Sequence, residues 1–242
     1  MKEERLDKLL CLSGAYTRSQ ARAVIRAGLV TVSGAPVREP EKKVPAGGEI
    51  RVRGEVLDTA EFVYYMMNKP AGYISGAKDE LYPAVTGLLP PALRKRGLFC
   101  VGRLDADVTG LLLLTDDGDF AHRVTSPKAE IEKTYEVLLD GAVTEGNAAA
   151  LAQGVTLSGG TRYRPARLEP DRENASRARV TVTEGKYHEV KNLMAFCGRQ
   201  VLEMRRVSIG ALTLSDTLRP GELRRLTETE AALVFGKTGE GT

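Results

Sequence analysis

Apolar and polar positions follow two regimes along this chain of 242 residues. In LDKLL, residues 6–10, Leu6, Leu9 and Leu10 share one helical face, with Arg5 and Lys8 at its border. A second helix is predicted over Ser19–Ala27, with Ser19 capping its start and Gly28 closing its end. Within it Ala21, Val24 and Ile25 point one way, and Arg18, Arg22 and Arg26 recur every four residues on the opposite face. LVTVSGAPV predicts a strand, a tight turn at Ser33–Gly34 and a return strand, and PAGGEIRV adds a further turn and strand. Together these elements predict a small module over residues 1–58.

The pattern changes after the polar connection at Val56–Glu61. From Phe62 onward, alternating or continuous apolar runs predict strands in FVYYMMNKP, LFCVGRL, GLLLLTDD, KTYEVLLDG, GVTL, ARVTVTEG and ALTLSD. Helical spacing returns at Gly118–Val124, Glu145–Gln153 and His188–Cys197. Many strands and fewer helices, without regular βαβ alternation, predict an α+β domain over residues 62–235, its mixed, mainly antiparallel sheet flanked by helices. The closing GKTGEGT, residues 236–242, is Gly-rich and polar and predicts a flexible tail.

Composition narrows the class. At 42% hydrophobic and 28% charged, the balance is that of a soluble globular chain. No run approaches the roughly 18 apolar residues needed to cross a bilayer. The start, MKEERLDKLLCLSG, is acidic early and does not read as a secretion signal. Cys11, Cys100 and Cys197 are scattered and odd in number, which argues against a disulfide framework or a cysteine-rich zinc site and predicts a cytoplasmic protein. The net charge of +3 is local: residues 1–60 hold 11 Lys/Arg and 8 Asp/Glu, and the rest hold 24 of each. Basic excess on so small a unit suits either a solvated face or a polyanion-binding one.

Candidate chemistry concentrates in VGRLDADVTGLLLLTDDGDF, residues 101–120. Leu111–Leu114 marks a buried strand, and the loop before it carries Arg103, Asp105 and Asp107 between Gly102 and Gly110. A carboxylate at the edge of a buried strand loses solvation unless a cation or hydrogen bonds compensate. Such a group suits a poised acid or nucleophile, and equally an ordinary turn in which aspartate caps and arginine pairs with it. Asp105 with Asp107 also allows a magnesium-dependent nuclease site. Asp116, Asp117 and Asp119 precede a helical pattern and read as turn and cap residues. His122 and His188 lack clustered cysteines, so no zinc site is predicted.

The motifs go further than spacing. GRLDADVTGLLLLTDDG resembles the signature of pseudouridine synthases, and VGRLDADVTGLLLLTDDGDFAHRVTSPKAEIEKTYEV resembles the RsuA-like branch that modifies ribosomal RNA. RLDKLLCLSGAYTRSQARAVIRAGLVTVSGAPV is similar to the S4-like RNA-binding domain, a small α-L module first recognised in a ribosomal protein. MNKPAGYIS, EGKYHEVKNLMAFCG, RRVSIGALTL and LRPGELRRLT carry the resemblance over nearly the whole chain. It implies Asp105 as the catalytic nucleophile or base, Tyr135 as the tyrosine that packs on a flipped base and serves in proton transfer, and Lys191 as the basic partner of the aspartate. It further implies Arg103 as an RNA-holding residue, Leu193 as an apolar wall of the pocket and Lys69 as part of another substrate loop. Arg5, Arg18, Arg22 and Arg26 would contact phosphates, which position a protein on RNA without reading its sequence. Glu189 and Asn192 stand where relatives carry glutamine and a second basic residue, a departure that bears on close RNA contacts.

The implied reaction isomerises uridine to pseudouridine: the N-glycosidic bond breaks, the base turns, and it rejoins the ribose through C5. Nothing is oxidised and no external nucleophile enters, so neither cofactor nor metal is expected. The implied partner is ribosomal RNA, free or in an assembling subunit. The RPARLE segment and the TLSDTLRPGELRRLTETE ending look most like enzymes of 16S (small-subunit) RNA, with 23S (large-subunit) RNA the near alternative. A monomer without membrane association is expected. A non-catalytic RNA-binding ribosome assembly factor is the alternative from another class, and the intact Asp105, Tyr135 and Lys191 speak against it.

Overall fold

Short apolar runs punctuated by glycine turns become strands, and the rest of the chain is organised around them. The computed structural model describes residues 3–45, 48–76 and 80–236. It divides into two compact units, residues 1–63 with 86–99 and residues 64–85 with 100–242. Most of the expected tail, residues 237–242, lies outside the described residues.

The first unit begins with β1 (Glu3–Arg5), α1 (Leu6–Leu12) and α2 (Arg18–Arg26). Thr17, rather than Ser19, caps α2. Its hydroxyl accepts from the Gln20 backbone N–H, and the Gln20 side chain accepts from the Thr17 N–H. That reciprocal pair satisfies two donors that a cap at Ser19 would leave unmet. There follow β2 (Val30–Val32), β3 (Ala35–Val37), β4 (Lys43–Pro45), β5 (Ile50–Val52) and β6 (Glu55–Leu57). Four of them form an antiparallel sheet in the order β3-β2-β5-β6, while β1 pairs with β4. The β2–β3 turn falls at Ser33–Gly34, both at positive φ, as a two-residue hairpin requires. Leu6, Leu9, Leu10, Ala21 and Ile25 pack against Val30, Ile50 and Val52 in one core. The helix α3 (Pro91–Arg96), not foreseen in the sequence, belongs to this unit. Its Ala92 carbonyl abuts Gly14, where an added Cβ would lie 2.2 Å from the oxygen, and Arg96 Nη2 donates to the Ala60 carbonyl at 2.7 Å.

The second unit is α+β. Its strands are β7 (Tyr64–Lys69), the bordering β8 (Phe99–Val101), β9 (Thr109–Thr115), β10 (Lys133–Leu139), the hairpin β11 (Val155–Thr156) and β12 (Arg162–Tyr163), β13 (Arg167–Pro170), β14 (Arg177–Val182), β15 (Val201–Ile209), β16 (Leu212–Thr213) and β17 (Leu223–Leu226). The central sheet runs β13-β14-β10-β15-β9-β7-β17, and only the β15–β9 pair along it is parallel. Gly110, at φ +99, makes that pairing possible: a Cβ there would stand 2.3 Å from the Arg206 carbonyl oxygen. The helices are α4 (Gly118–Thr125), α5 (Glu145–Ala152), α6 (Glu189–Phe196) and α7 (Glu228–Ala232). Asp117 caps α4, accepting from the Phe120 N–H at 2.9 Å. Phe120 and Val124 of α4 pack with Met66, Leu111, Leu113, Ile209 and Leu226 on one face of the sheet. Among the described residues, no helix is long and apolar enough to cross a membrane.

Candidate active site

The loop between β8 and β9 carries Asp105, and two side chains and a glycine determine its shape. Lys69, at the end of β7, is fully buried and donates to the carbonyls of Val108 at 2.7 Å, Pro70 at 3.0 Å and Ala106 at 3.4 Å. Burial pushes its ammonium down to about 8, partly offset by Asp107 and Asp105. Ser75 closes the other side, its hydroxyl donating to the Leu104 carbonyl and accepting from the Leu104 N–H. Gly110 lets the chain pass directly into β9. Lys69 therefore braces this loop from beneath. Fully buried, it is not available at the surface, which corrects the expectation that it contacts substrate.

Asp105 is half-buried, and two bases from the start of α6 face it. His188 Nε2 lies 3.3 Å from Asp105 Oδ2, and Lys191 Nζ lies 3.6 Å from the same oxygen. Lys191 is closer to Asp107, donating to its two oxygens at 2.9 and 2.8 Å. Burial works to raise the Asp107 pKa, but these hydrogen bonds outweigh it and hold the carboxyl below its ordinary range. Lys191 was expected to pair with Asp105; the structure has the ammonium shared, with Asp107 the nearer. This arrangement also bears on the magnesium reading, because an ammonium already lies between the two carboxylates. Among the described residues, no group of three or more His, Cys, Asp or Glu side chains is arranged to hold a metal.

His188, weighed in the sequence only as a zinc ligand, instead stands beside Asp105. It takes a left-handed backbone conformation at φ 53 at the residue preceding α6, with no side-chain cap to the helix, and stacks on Tyr187 with ring centroids 3.8 Å apart. Its neighbour in sequence, the exposed Tyr187, was unremarked. The signal was present in the run KYHEVK, three kinds of polar ring or amine within six residues, but spacing alone gave no reason to choose among them.

Asp105 opens onto a cleft of about 260 Å³ also lined by Arg103, Tyr135, His188, Glu189 and Arg206. Tyr135 lies on β10 directly opposite Arg206 of β15 and is 8% exposed, so its ring forms a wall of the cleft. Arg103 is exposed at the rim. Glu189 is buried, and burial lifts its carboxyl to about 7. Leu193 is fully buried in α6 and does not line this cleft, a correction to its expected role; Val190 of the same helix does. Asn192 donates to the Tyr163 hydroxyl at 2.7 Å, so this departure from the family pattern ties α6 to β12.

The expected phosphate contacts are distributed differently from a simple stripe. Arg5 donates to both oxygens of Asp7 at 3.0 and 2.8 Å, Arg22 Nε to Asp7 Oδ2 at 3.1 Å, and Arg18 Nε lies 4.0 Å away. Asp7 is completely buried, and the Arg5 hydrogen bonds, with those of Arg22, hold its carboxyl at about 2 despite desolvation. Arg26 stays exposed. Three of the four arginines thus cluster on one carboxylate that the sequence reading did not single out.

The comparisons agree with this architecture. The family model for RNA pseudouridylate synthase matches residues 63–196, and the S4 domain model matches residues 4–50. An uncharacterized RNA pseudouridine synthase of Bacillus subtilis is 41% identical over 233 residues, covering 95% of this chain and 98% of the relative. The ribosomal small subunit pseudouridine synthase A of Escherichia coli is 39% identical over 232 residues, covering 95% and 99%. A crystal structure of a pseudouridylate synthase, 38% identical, superposes with a TM-score of 0.67 over 95% of this chain and 99% of that one. With a family model across more than half its length and relatives at this identity from end to end, the chain belongs to the RNA pseudouridylate synthase family.

Proposed function

We propose that this protein isomerises one uridine of small-subunit ribosomal RNA to pseudouridine, with Asp105 as the catalytic residue. The observation that carries the reading is the Asp105 carboxylate itself: it stands on a braced loop, at the mouth of a cleft, with His188 and Lys191 within 3.6 Å and the Tyr135 ring on the adjoining wall. A uridine inside folded RNA hides its glycosidic bond, so the nucleotide must leave the stack to be processed. Once extruded, its base rests against Tyr135, whose flat face suits stacking, while Asp105 meets the reacting sugar and base. The N1–C1′ bond breaks, the ring turns, C5 bonds to C1′, the C5 hydrogen departs as a proton, and N1 ends protonated. Lys191, shared between Asp105 and Asp107, provides positive charge beside the carboxylate throughout. Arg103 at the rim holds the RNA backbone, and Arg26 with the arginines around Asp7 contributes phosphate contacts in the first unit.

The choice of the small subunit rests on relatives named ribosomal small subunit pseudouridine synthase A that align with this chain from end to end. The chain acts as a monomer on RNA in the cytoplasm, and neither metal nor cofactor takes part. The test is to incubate the protein with transcribed small- and large-subunit RNA in EDTA and map pseudouridine chemically. One new site in the small-subunit RNA is expected. A site in the large-subunit RNA alone would move the substrate, and RNA bound without modification would leave only an assembly role.

A further inference from the structure

One cation in the cleft has no place in the scheme above. Arg206 lies mid-strand on β15 and is 2% exposed. Its Nε donates to the Leu111 carbonyl of β9 at 2.8 Å, but its Nη2 is buried with no hydrogen-bond partner among the described residues. A guanidinium is always charged and carries five N–H donors, so an unmet one in the interior is costly and rare. The buried carboxyls that line the same cleft, Glu184 and Glu189, accept from the Arg164 and Lys186 backbone N–H groups and leave Nη2 unmet. Lys133 stands close enough that burial, with Arg206 adding to it, lowers its amine to about 8, and Lys69 feels the same repulsion. A buried guanidinium donor left unmet on the cleft wall is placed to receive an acceptor.

The position of Arg206 says which acceptor. Tyr135 is its direct cross-strand partner, so the two side chains project from the same face, and both line the cleft with Asp105. When a nucleotide swings out, its phosphodiester chain continues in both directions and stays at the mouth. Only the base can reach the floor. Uracil offers two exocyclic oxygens, O2 and O4, and no other strong acceptor outside its ring. We propose that the Arg206 guanidinium donates to a carbonyl oxygen of the extruded uracil and so determines both the identity and the seating of the base. This rests on the isomerase reading above.

The chemistry of the reaction gives the contact a second use. A half-turn of uracil about its N3–C6 axis exchanges N1 with C5, which the isomerisation requires, and the same half-turn exchanges O2 with O4. A donor fixed at that one place therefore holds an oxygen before and after the turn. Arg206 transfers no proton and forms no covalent bond; it is a specificity-determining contact.

The test uses the full chain and RNA carrying uridine, 2-thiouridine or 4-thiouridine at the mapped position, since sulfur is a poor acceptor. Wild-type protein should turn over at least one thio-substituted RNA about tenfold more slowly than the uridine form. Arg206→Lys should lose about tenfold or more in turnover on uridine, keep RNA affinity within about threefold, and show no further loss with that thio substitution. Sensitivity at O4, at O2 or at both supports the contact and says which oxygen it meets. Equal wild-type rates on all three RNAs overturn it, whether or not the variant folds, as do losses that multiply at both positions. Absence of pseudouridine with wild-type protein on unsubstituted RNA is a different failure: it removes the isomerase reading and this inference with it.

Discussion

Asp105 and Asp107 sit two residues apart and share one ammonium, yet their surroundings assign them different work. Asp107 is the more exposed and takes the shorter contacts from Lys191, whereas Asp105 faces the cleft with His188 beside it. Asp105→Asn should lower turnover by at least about a thousandfold with RNA affinity within a few-fold, because phosphate contacts lie elsewhere. Asp107→Asn should cost no more than about tenfold, since Lys191 can then turn wholly to Asp105. Single-turnover kinetics on both variants check the contrast, and equal collapse of the two would indicate a paired-carboxylate site. Asp105, Tyr135 and Lys191 stand in motifs with distinctive neighbour patterns, and the structure puts Asp105 and Tyr135 on one cleft with Lys191 beside Asp105. His188 and Arg206 were not legible in this way. Their positions depend on what lies across the sheet or the cleft, and local spacing carries no trace of that.

At the scale of elements, two buried ionisable groups connect strand and helix packing to the site. Lys69 ends β7 and spends its hydrogen bonds on the carbonyls of the Asp105 loop. Lys69→Met fills the space but removes the donor that the Val108 and Pro70 carbonyls share, leaving Ala106 with the Gly72 N–H, so turnover should fall about ten- to a hundredfold while RNA affinity holds. Hydrogen exchange should rise over residues 104–108 in the same variant, and unchanged exchange there would remove the bracing role. Glu189 opens α6 with a carboxyl raised from 4.5 to about 7 by burial. The fold binds its proton more tightly than the unfolded chain does, so the stability linked to it is full below pH 4.5 and is lost as pH rises through about 7. Glu189→Gln should be insensitive to that change, with an advantage over wild type that grows from about 2 kcal/mol at pH 6 to about 3 kcal/mol at pH 8 in denaturant melts. Strong periodicity made α4 and α6 readable, along with β9 and β10. By contrast α3, β13 and β17 are short and rich in arginine, and only tertiary contacts settle their conformation. The α2 cap was misplaced by two residues because Thr17 and Ser19 are both good caps and only Gln20 distinguishes them.

For the whole molecule, charge governs both stability and attraction to RNA. The first unit holds its buried Asp7 at about 2, against an ordinary value of 3.8. The stability this contributes, about 2 kcal/mol, is present above pH 4 and is lost as pH falls from there through about 2. Asp7→Asn should remove that acid transition and unfold the first unit more easily at neutral pH, as chemical denaturation followed by circular dichroism would record. Arg18→Ala and Arg26→Ala should each lower the slope of log affinity for RNA against log salt by about one, because each lost phosphate contact releases one fewer counterion. Unchanged slopes would make this a solvated face. The excess of basic residues in the first 60 positions was legible from counting alone; that a carboxylate sits at its centre was not.

The order of the backbone imposes a practical boundary on dissecting this protein. The polypeptide leaves the first unit at residue 63, returns to it for 86–99, and departs again. A shortened version that starts after residue 58 would discard Gly14 and the rest of α1, α2 and the small sheet but keep α3 itself, baring the side of α3 that now meets Gly14. Such a fragment carries a stretch of the first unit without the core it belongs to, so loss of activity in it would not isolate the contribution of the amino-terminal module. Point changes on the arginine face, in an otherwise complete polypeptide, are the cleaner dissection.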